Sequence, residues 1–284
     1  MRPSPPTACD SRSSSSSPGA RRAAPVLLTH GTFSNGNVVT RLAAYLANYG
    51  FPCWVLELRG HGASEGRDRR TIFEDFGRLD VPAAVEAVRL RAQTDRLFYV
   101  GHSGGGLAFL MYLARNPQAA GRAQGVVTLA SQATGAGLGW RGLATITGIA
   151  AANSLGSRAR SRLLRLGPEG EFRGVVNQWF RWNLTRRWRG RDRINYLSAL
   201  ASVRTPALCL AGVGDRYIAP VKGCVRLFAA LGAADKRLVI CGRRHGFSED
   251  YDHARIVASR GARQEVWPKI LEWLQQRCEA SPGI

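Results

Sequence analysis

From Pro25 onward, short apolar runs alternate with longer stretches of helical pattern, and this alternation constrains the fold more than any single residue does. The runs Val26–Thr29, Cys53–Leu58, Leu97–Val100, Gly125–Ala130, Ala207–Ala211 and Arg237–Cys241 read as strands. Between and after them, Val38–Tyr49 (stopped by Gly50), Phe76–Arg91, Leu107–Ala114, Ile218–Leu231 and Glu265–Arg277 read as helices. Strand and helix in turn predict an α/β chain: a mainly parallel sheet of about six strands with helices on both faces. A length of 284 residues suits one large domain, and 45% hydrophobic content is enough for a soluble core.

Two segments stand outside the alternation. Residues 1–24 are rich in serine and proline with almost nothing to pack, and read as disordered. Residues 136–205 separate two strands by far more than a usual connection. That segment holds thirteen arginines against Glu169, Glu171 and Asp192, and four of the seven tryptophans, Trp140, Trp179, Trp182 and Trp188. It reads as a helical lid inserted between core portions 25–135 and 206–284, its apolar stretch Leu143–Leu155 available to line a pocket or touch lipid. Packing within the lid is the simpler account of each tryptophan taken singly.

The net charge of +20 comes almost wholly from arginine, since Lys222, Lys236 and Lys269 are the only lysines. Spread over the chain it reads as a solvated arginine-rich surface. Half of it lies in the lid, which gives an expectation of weak contact with anionic lipid. No nucleic-acid motif accompanies the charge, so no specific nucleic-acid partner is expected. Cys9, Cys53, Cys209, Cys224, Cys241 and Cys278 form no C-x-x-C pair and read as free, mostly buried thiols rather than metal ligands or disulfides. With no signal-peptide pattern and no apolar stretch long enough to span a bilayer, the expected location is cytoplasmic.

Within this frame Gly101-His102-Ser103-Gly104-Gly105 places a serine in G-x-S-x-G, with a strand-like run before it and a helix-like run after it. Such a strand–turn–helix can hold Ser103 in a strained elbow with its hydroxyl exposed above the sheet. A serine hydroxyl needs a histidine to take its proton and a carboxylate to orient that histidine. Asp215 follows the strand Ala207–Ala211, at the edge of an open sheet where ligands collect. Two histidines come after it: His245 directly beyond the last strand, and His253 eight residues later. Spacing leaves the choice open, with His245 in the commoner place. His30 and His61 sit in glycine-bounded loops and His102 inside the elbow. Two backbone N–H groups should receive a developing oxyanion, those of Gly104 and of Thr32 in His30-Gly31-Thr32.

These residues resemble the α/β-hydrolase superfamily of serine esterases and lipases. His30-Gly31-Thr32 resembles its oxyanion loop, and Arg59-Gly60-His61-Gly62-Ala63-Ser64 the R-G-H-G-x-S loop of monoglyceride-lipase-like members. Phe76 to Ala83 is similar to the Y-D-x-P-A segment of acid lipases. In those enzymes the catalytic histidine precedes an alanine by nine residues and Glu-Val by twelve; His253 matches through Ala262 and Glu265-Val266, and His245 does not. The resemblance therefore implies Ser103, Asp215 and His253 as the triad, with His245 the alternative base and Thr32 and Gly104 the oxyanion donors. It implies hydrolysis of a small ester or lipid through an acyl-enzyme on Ser103, with no metal or organic cofactor. A peptidase, thioesterase or acyltransferase on the same triad, or a non-catalytic binding protein on this scaffold, would share the pattern. The antiparallel hairpin that precedes the oxyanion strand in the family has no counterpart in residues 1–25, so one edge strand is expected without its usual partner.

Overall fold

The computed structural model describes residues 23–66, 68, 70–137, 144 and 167–279. Cys9, Trp140 and the apolar stretch 143–155 (residue 144 apart) lie outside the described residues.

Six strands form one sheet in the order β2-β1-β3-β4-β5-β6, and every neighbouring pair is parallel. In chain order the elements are β1 (Val26–Thr29), α1 (Asn37–Ala47), β2 (Cys53–Leu56), α2 (Phe73–Asp75), a π-type turn over Phe76–Asp80, and α3 (Val81–Ala92). Then come β3 (Phe98–His102), α4 (Gly104–Arg115), α5 (Pro117–Arg122), β4 (Gly125–Leu129), α6 (Arg173–Thr185) and α7 (Tyr196–Ala199). The chain continues through β5 (Ala207–Gly212), α8 (Val221–Ala230), β6 (Lys236–Cys241), α9 (Arg255–Ala258) and α10 (Arg260–Glu279). Each strand read from the sequence is present with ends shifted by two residues or fewer. The helix expected over Phe76–Arg91 instead starts at Phe73 and passes through the π-type turn. There Gly77 lies so close to α4 that a Cβ would meet Met111 Cβ at 2.7 Å.

The inner strands β1, β3, β4 and β5 are buried at every position because both faces of a parallel sheet are covered, while the edge strands β2 and β6 are half-buried. Successive residues feed opposite sides. Leu27, Tyr99, Val126 and Cys209 join one cluster with α3 and α4, while Leu28, Val100, Val127 and Leu210 join a second with α1, α9 and α10. Helix α1 meets the second cluster through Val39, Leu42, Ala43 and Leu46, a stripe at helical spacing. Trp182, Trp188, Tyr196 and Leu200 from the described part of the 136–205 insertion belong to the first cluster. That part is thus helical and packed into the same core as α4.

The strand order also locates a crevice. The chain steps outward from β1 to β2 on one side and from β3 through β4, β5 and β6 on the other. The loops leaving β1 and β3 therefore part company at their carboxyl ends, where an open α/β sheet binds its ligands. Among the described residues no helix is long and apolar enough to cross a membrane.

Candidate active site

Ser103 lies between β3 and α4 with φ 52° and ψ −120°, a conformation that costs an L-residue energy. The turn is pinned from below: Ser103 N–H donates to Leu129 O at 2.7 Å, and Ser131 Oγ donates to Ser103 O at 2.8 Å. It is crowded from the side. A Cβ on Gly105 would stand 2.4 Å from His30 O, and one on Gly31 would stand 2.6 Å from Ser103 Cβ. Those glycines let the oxyanion loop and the elbow touch through backbone, which accounts for both in the sequence.

Ser103 Oγ stands 2.9 Å from His253 Nε2, and His253 Nδ1 stands 2.5 Å from Asp215 Oδ2. With Nδ1–H donating to the carboxylate, Nε2 is free to accept the serine proton. Asp215 follows β5 and is 4% exposed, while its Oδ1 accepts from Ala219 N–H at 3.0 Å and Ile218 N–H at 3.2 Å. Burial alone would push this carboxyl up. The hydrogen bond and charge of His253, with the two backbone donors, outweigh it and hold the pKa below the ordinary value. Asp215 is therefore an anion at neutral pH.

His245 is not brought to this cluster; it ends an exposed turn, Arg243–His245, beyond β6. His253 reaches Ser103 because the chain runs on past that turn and back to the end of β5. Tyr251 O accepts from Gly214 N–H at 2.9 Å, and Tyr251, fully buried, donates from its hydroxyl to Glu265 Oε2 at 2.7 Å. The Glu265 carboxylate at the offset noted in the sequence thus anchors the loop carrying His253.

Thr32 and Gly104 face one another, since a Cβ on Gly104 would lie 3.3 Å from the Thr32 nitrogen. Among the described residues neither N–H has a hydrogen-bond partner. Both are open to an oxygen placed above Ser103.

Three contacts around this site were not foreseen from the sequence. His102, inside the elbow, directs its Nε2 at His253 O, 2.8 Å away, and burial lowers its pKa to about 3. It is thus a neutral donor that holds the loop of His253. His30 is also fully buried, with its pKa lowered to about 3 chiefly by burial. Its Nε2 accepts from Leu58 N–H at 3.1 Å, and its Nδ1–H donates to Gly31 O at 2.8 Å, which fixes the loop before Thr32. Glu171, from the insertion, accepts from Phe33 N–H at 3.3 Å and stands 3.3 Å from His61 Nε2, with both side chains fully buried. Burial opposes protonation of His61, but the charge and hydrogen bonding of Glu171 outweigh it and raise its pKa. Glu169 N–H also donates to Phe33 O at 3.1 Å, so the insertion grips the residue next to Thr32 on both sides. The signal in the sequence was slight: two of only three acids in a strongly basic segment.

The parallel six-stranded order and the serine elbow that ends the third strand give the chain the α/β-hydrolase fold. The profile of a family described as "Serine aminopeptidase, S33" matches residues 20–159. A Crotalus adamanteus protein named as a lysosomal acid lipase/cholesteryl ester hydrolase is 35% identical over 95 residues. That match covers 28% of this chain and 24% of the relative, so the chain aligns with about a quarter of that protein. Among solved structures, the monoacylglycerol lipase of Paleococcus ferrophilus superposes with a TM-score of 0.62 at 21% identity, covering 90% of this chain and 96% of its own. An esterase from Thermogutta terrifontis gives 0.63 at 17% identity, covering 89% and 90%. At such identities the structures establish the shared fold.

Proposed function

We propose that this protein hydrolyses carboxylic esters of the kind taken by esterases and lipases, through an acyl-enzyme on Ser103. The observation that carries this reading is the Ser103–His253–Asp215 chain, at 2.9 Å and 2.5 Å. His253 Nε2 removes the Ser103 proton as Oγ bonds to the acyl carbon, and the carbonyl electrons move onto its oxygen. Thr32 and Gly104 N–H groups stabilise that oxyanion without reorganising. As the carbonyl re-forms, the bond to the alcohol breaks and His253 returns its proton to the leaving oxygen. Water then repeats the sequence on the acyl-enzyme and releases the acid. Asp215 keeps His253 in the tautomer with its proton on Nδ1 and stabilises the imidazolium. The chemistry draws on protein groups alone.

The 136–205 insertion is read as a lid. Its support is the double grip of Glu169 and Glu171 on Phe33, beside the Thr32 donor.

Two measurements test the reading. Hydrolysis of p-nitrophenyl esters of rising acyl length should be readily detected and should peak at a length that reports pocket depth. Because the matching family is described as an aminopeptidase, aminoacyl p-nitroanilides form the second arm. Faster turnover of the anilides would transfer the assignment to peptide bonds. Labelling by a fluorophosphonate should be lost in Ser103→Ala; labelling that persists would put the nucleophile elsewhere.

A further inference from the structure

The turn between α6 and α7 carries a concentration of charge that the proposed hydrolysis does not use. Arg181 and Thr185 on α6, with Arg187, Arg189, Arg191 and Arg193 from the turn, line a concave pocket of about 390 Å³. All five arginines are exposed, and among the described residues no carboxylate pairs with any of their guanidiniums. The two acids close by are already engaged. Asp192 accepts from Arg115 at 2.8 and 2.9 Å. Glu74 accepts from Arg115, Tyr196, Gln178 Nε2 and the main-chain N–H of Arg191, at 2.8–2.9 Å.

The frame beneath these arginines is fixed. Trp182 and Trp188 are fully buried, and Trp182 Nε1–H donates to Arg189 O at 2.8 Å. Gly190 N–H donates to Ile194 O at 2.9 Å, Arg193 N–H to Gly190 O at 3.1 Å, and Arg189 bridges Asn195 in antiparallel fashion. A rigid turn thus presents five like charges around one concavity, with no carboxylate among the described residues paired to them. Their repulsion is a standing cost that a bound anion would relieve. A guanidinium fork matches two phosphate oxygens at once. Five forks exceed what one phosphate can engage, and the volume falls within the roughly 300–1,000 Å³ range of ligand pockets.

We propose that this pocket binds a ligand carrying two or more neighbouring phosphate groups, and that it is a site built from none of the residues around Ser103. The same chemistry is offered by a soluble diphosphate and by clustered phosphate headgroups of a lipid surface. A chain-wide excess of arginine is the competing account, and a charge-matched control separates the two.

The full chain should be titrated calorimetrically with inorganic pyrophosphate at fixed ionic strength. In parallel it should be sedimented with phosphatidylcholine vesicles with and without phosphatidic acid. Variant R187Q/R189Q/R193Q is compared with R41Q/R237Q/R260Q, which removes the same charge at exposed arginines elsewhere. The expected result is saturable binding that the pocket variant weakens by about tenfold or more and the control by less than about twofold. If pyrophosphate shows that pattern the source is soluble; if only the phosphatidic acid vesicles show it, the source is a headgroup. Equal loss in both variants, or saturable binding to neither probe, overturns the proposal. Should the glutamine variant fail to fold, R187K/R189K/R193K keeps the charge but not the forks, and is expected to bind several-fold more weakly. Unchanged affinity in the lysine variant overturns recognition by the forks.

Discussion

Ser103 holds a left-handed backbone that costs on the order of 1–3 kcal/mol, and the contacts that offset it all come from elsewhere in the chain. Leu129 O and Ser131 Oγ clamp its backbone from β4 and the loop beyond, and Gly31 and Gly105 make room for it. His253 and His245 offer the clearest test at this scale. His253→Gln should lower kcat by about 10⁴-fold or more, because Nε2 as a proton carrier is lost. His245→Gln should leave turnover within about twofold, since that side chain is exposed and outside the Ser103–Asp215 chain. Steady-state ester hydrolysis by the two variants, side by side, checks this; a large loss in His245→Gln alone would reverse the assignment. The candidate residues Ser103 and Asp215 could be proposed from local patterns, an elbow and a strand end, and His253 only through the family resemblance that sets its offset to Ala262 and Glu265. The neutral donor role of His102 was not legible. Its partner is a carbonyl 151 residues away, and local sequence says nothing about that.

At the scale of elements, Glu74 ties the insertion to α4, the helix that follows Ser103. It is the second residue of α2, has no exposed surface, and gathers Arg115 from the end of α4, Tyr196 from α7, Gln178 from α6 and the Arg191 N–H. Removing one member of such a buried charged group leaves the others unpaired, at a cost of roughly 3–5 kcal/mol. Glu74→Ala should therefore lower the urea midpoint of the whole chain and expose the Arg186–Arg193 turn to trypsin. Glu74→Gln keeps two lone-pair acceptors and should lose less. Equal stability of Glu74→Ala and the parent chain would show that the α6–α7 segment is held by its tryptophans alone. The strands and most helices could be read from the sequence, since a buried parallel sheet makes its strands short, mainly apolar runs and the period-3.6 patterning of helices is local. The Glu74 hub could not, because Glu74 and Tyr196 stand 122 positions apart. Beside Asp75 and between Phe73 and Phe76, Glu74 looks like an ordinary first-turn acid.

For the whole molecule, two fully buried neutral histidines set the response to acid. His30 and His102 are lowered from 6.5 to about 3, foremost by burial. Above the unfolded value both states leave them unprotonated, and their contribution to stability is complete. As pH falls from 6.5 toward 3, the unfolded chain takes up two protons that the folded chain refuses. Each such proton removes about 1.4 kcal/mol per pH unit, so the pair together remove about 2.7. His61 has the opposite sign: its folded pKa is raised, so its contribution is present below 6.5 and is lost as pH rises through the folded value. It acts above the window of the other two. Asp215, held below its ordinary 3.8, adds stability that is lost only as pH falls through its folded value, beneath most of that window. Urea denaturation at pH 7, 6 and 5 should therefore show a steep loss of stability with acid. His102→Gln, which can still donate to His253 O but binds no proton, should cut the histidine part of that slope to about half. A slope unchanged in His102→Gln would mean that His102 protonates in the folded chain as readily as in the unfolded one, and that the base loop is not held by a neutral donor.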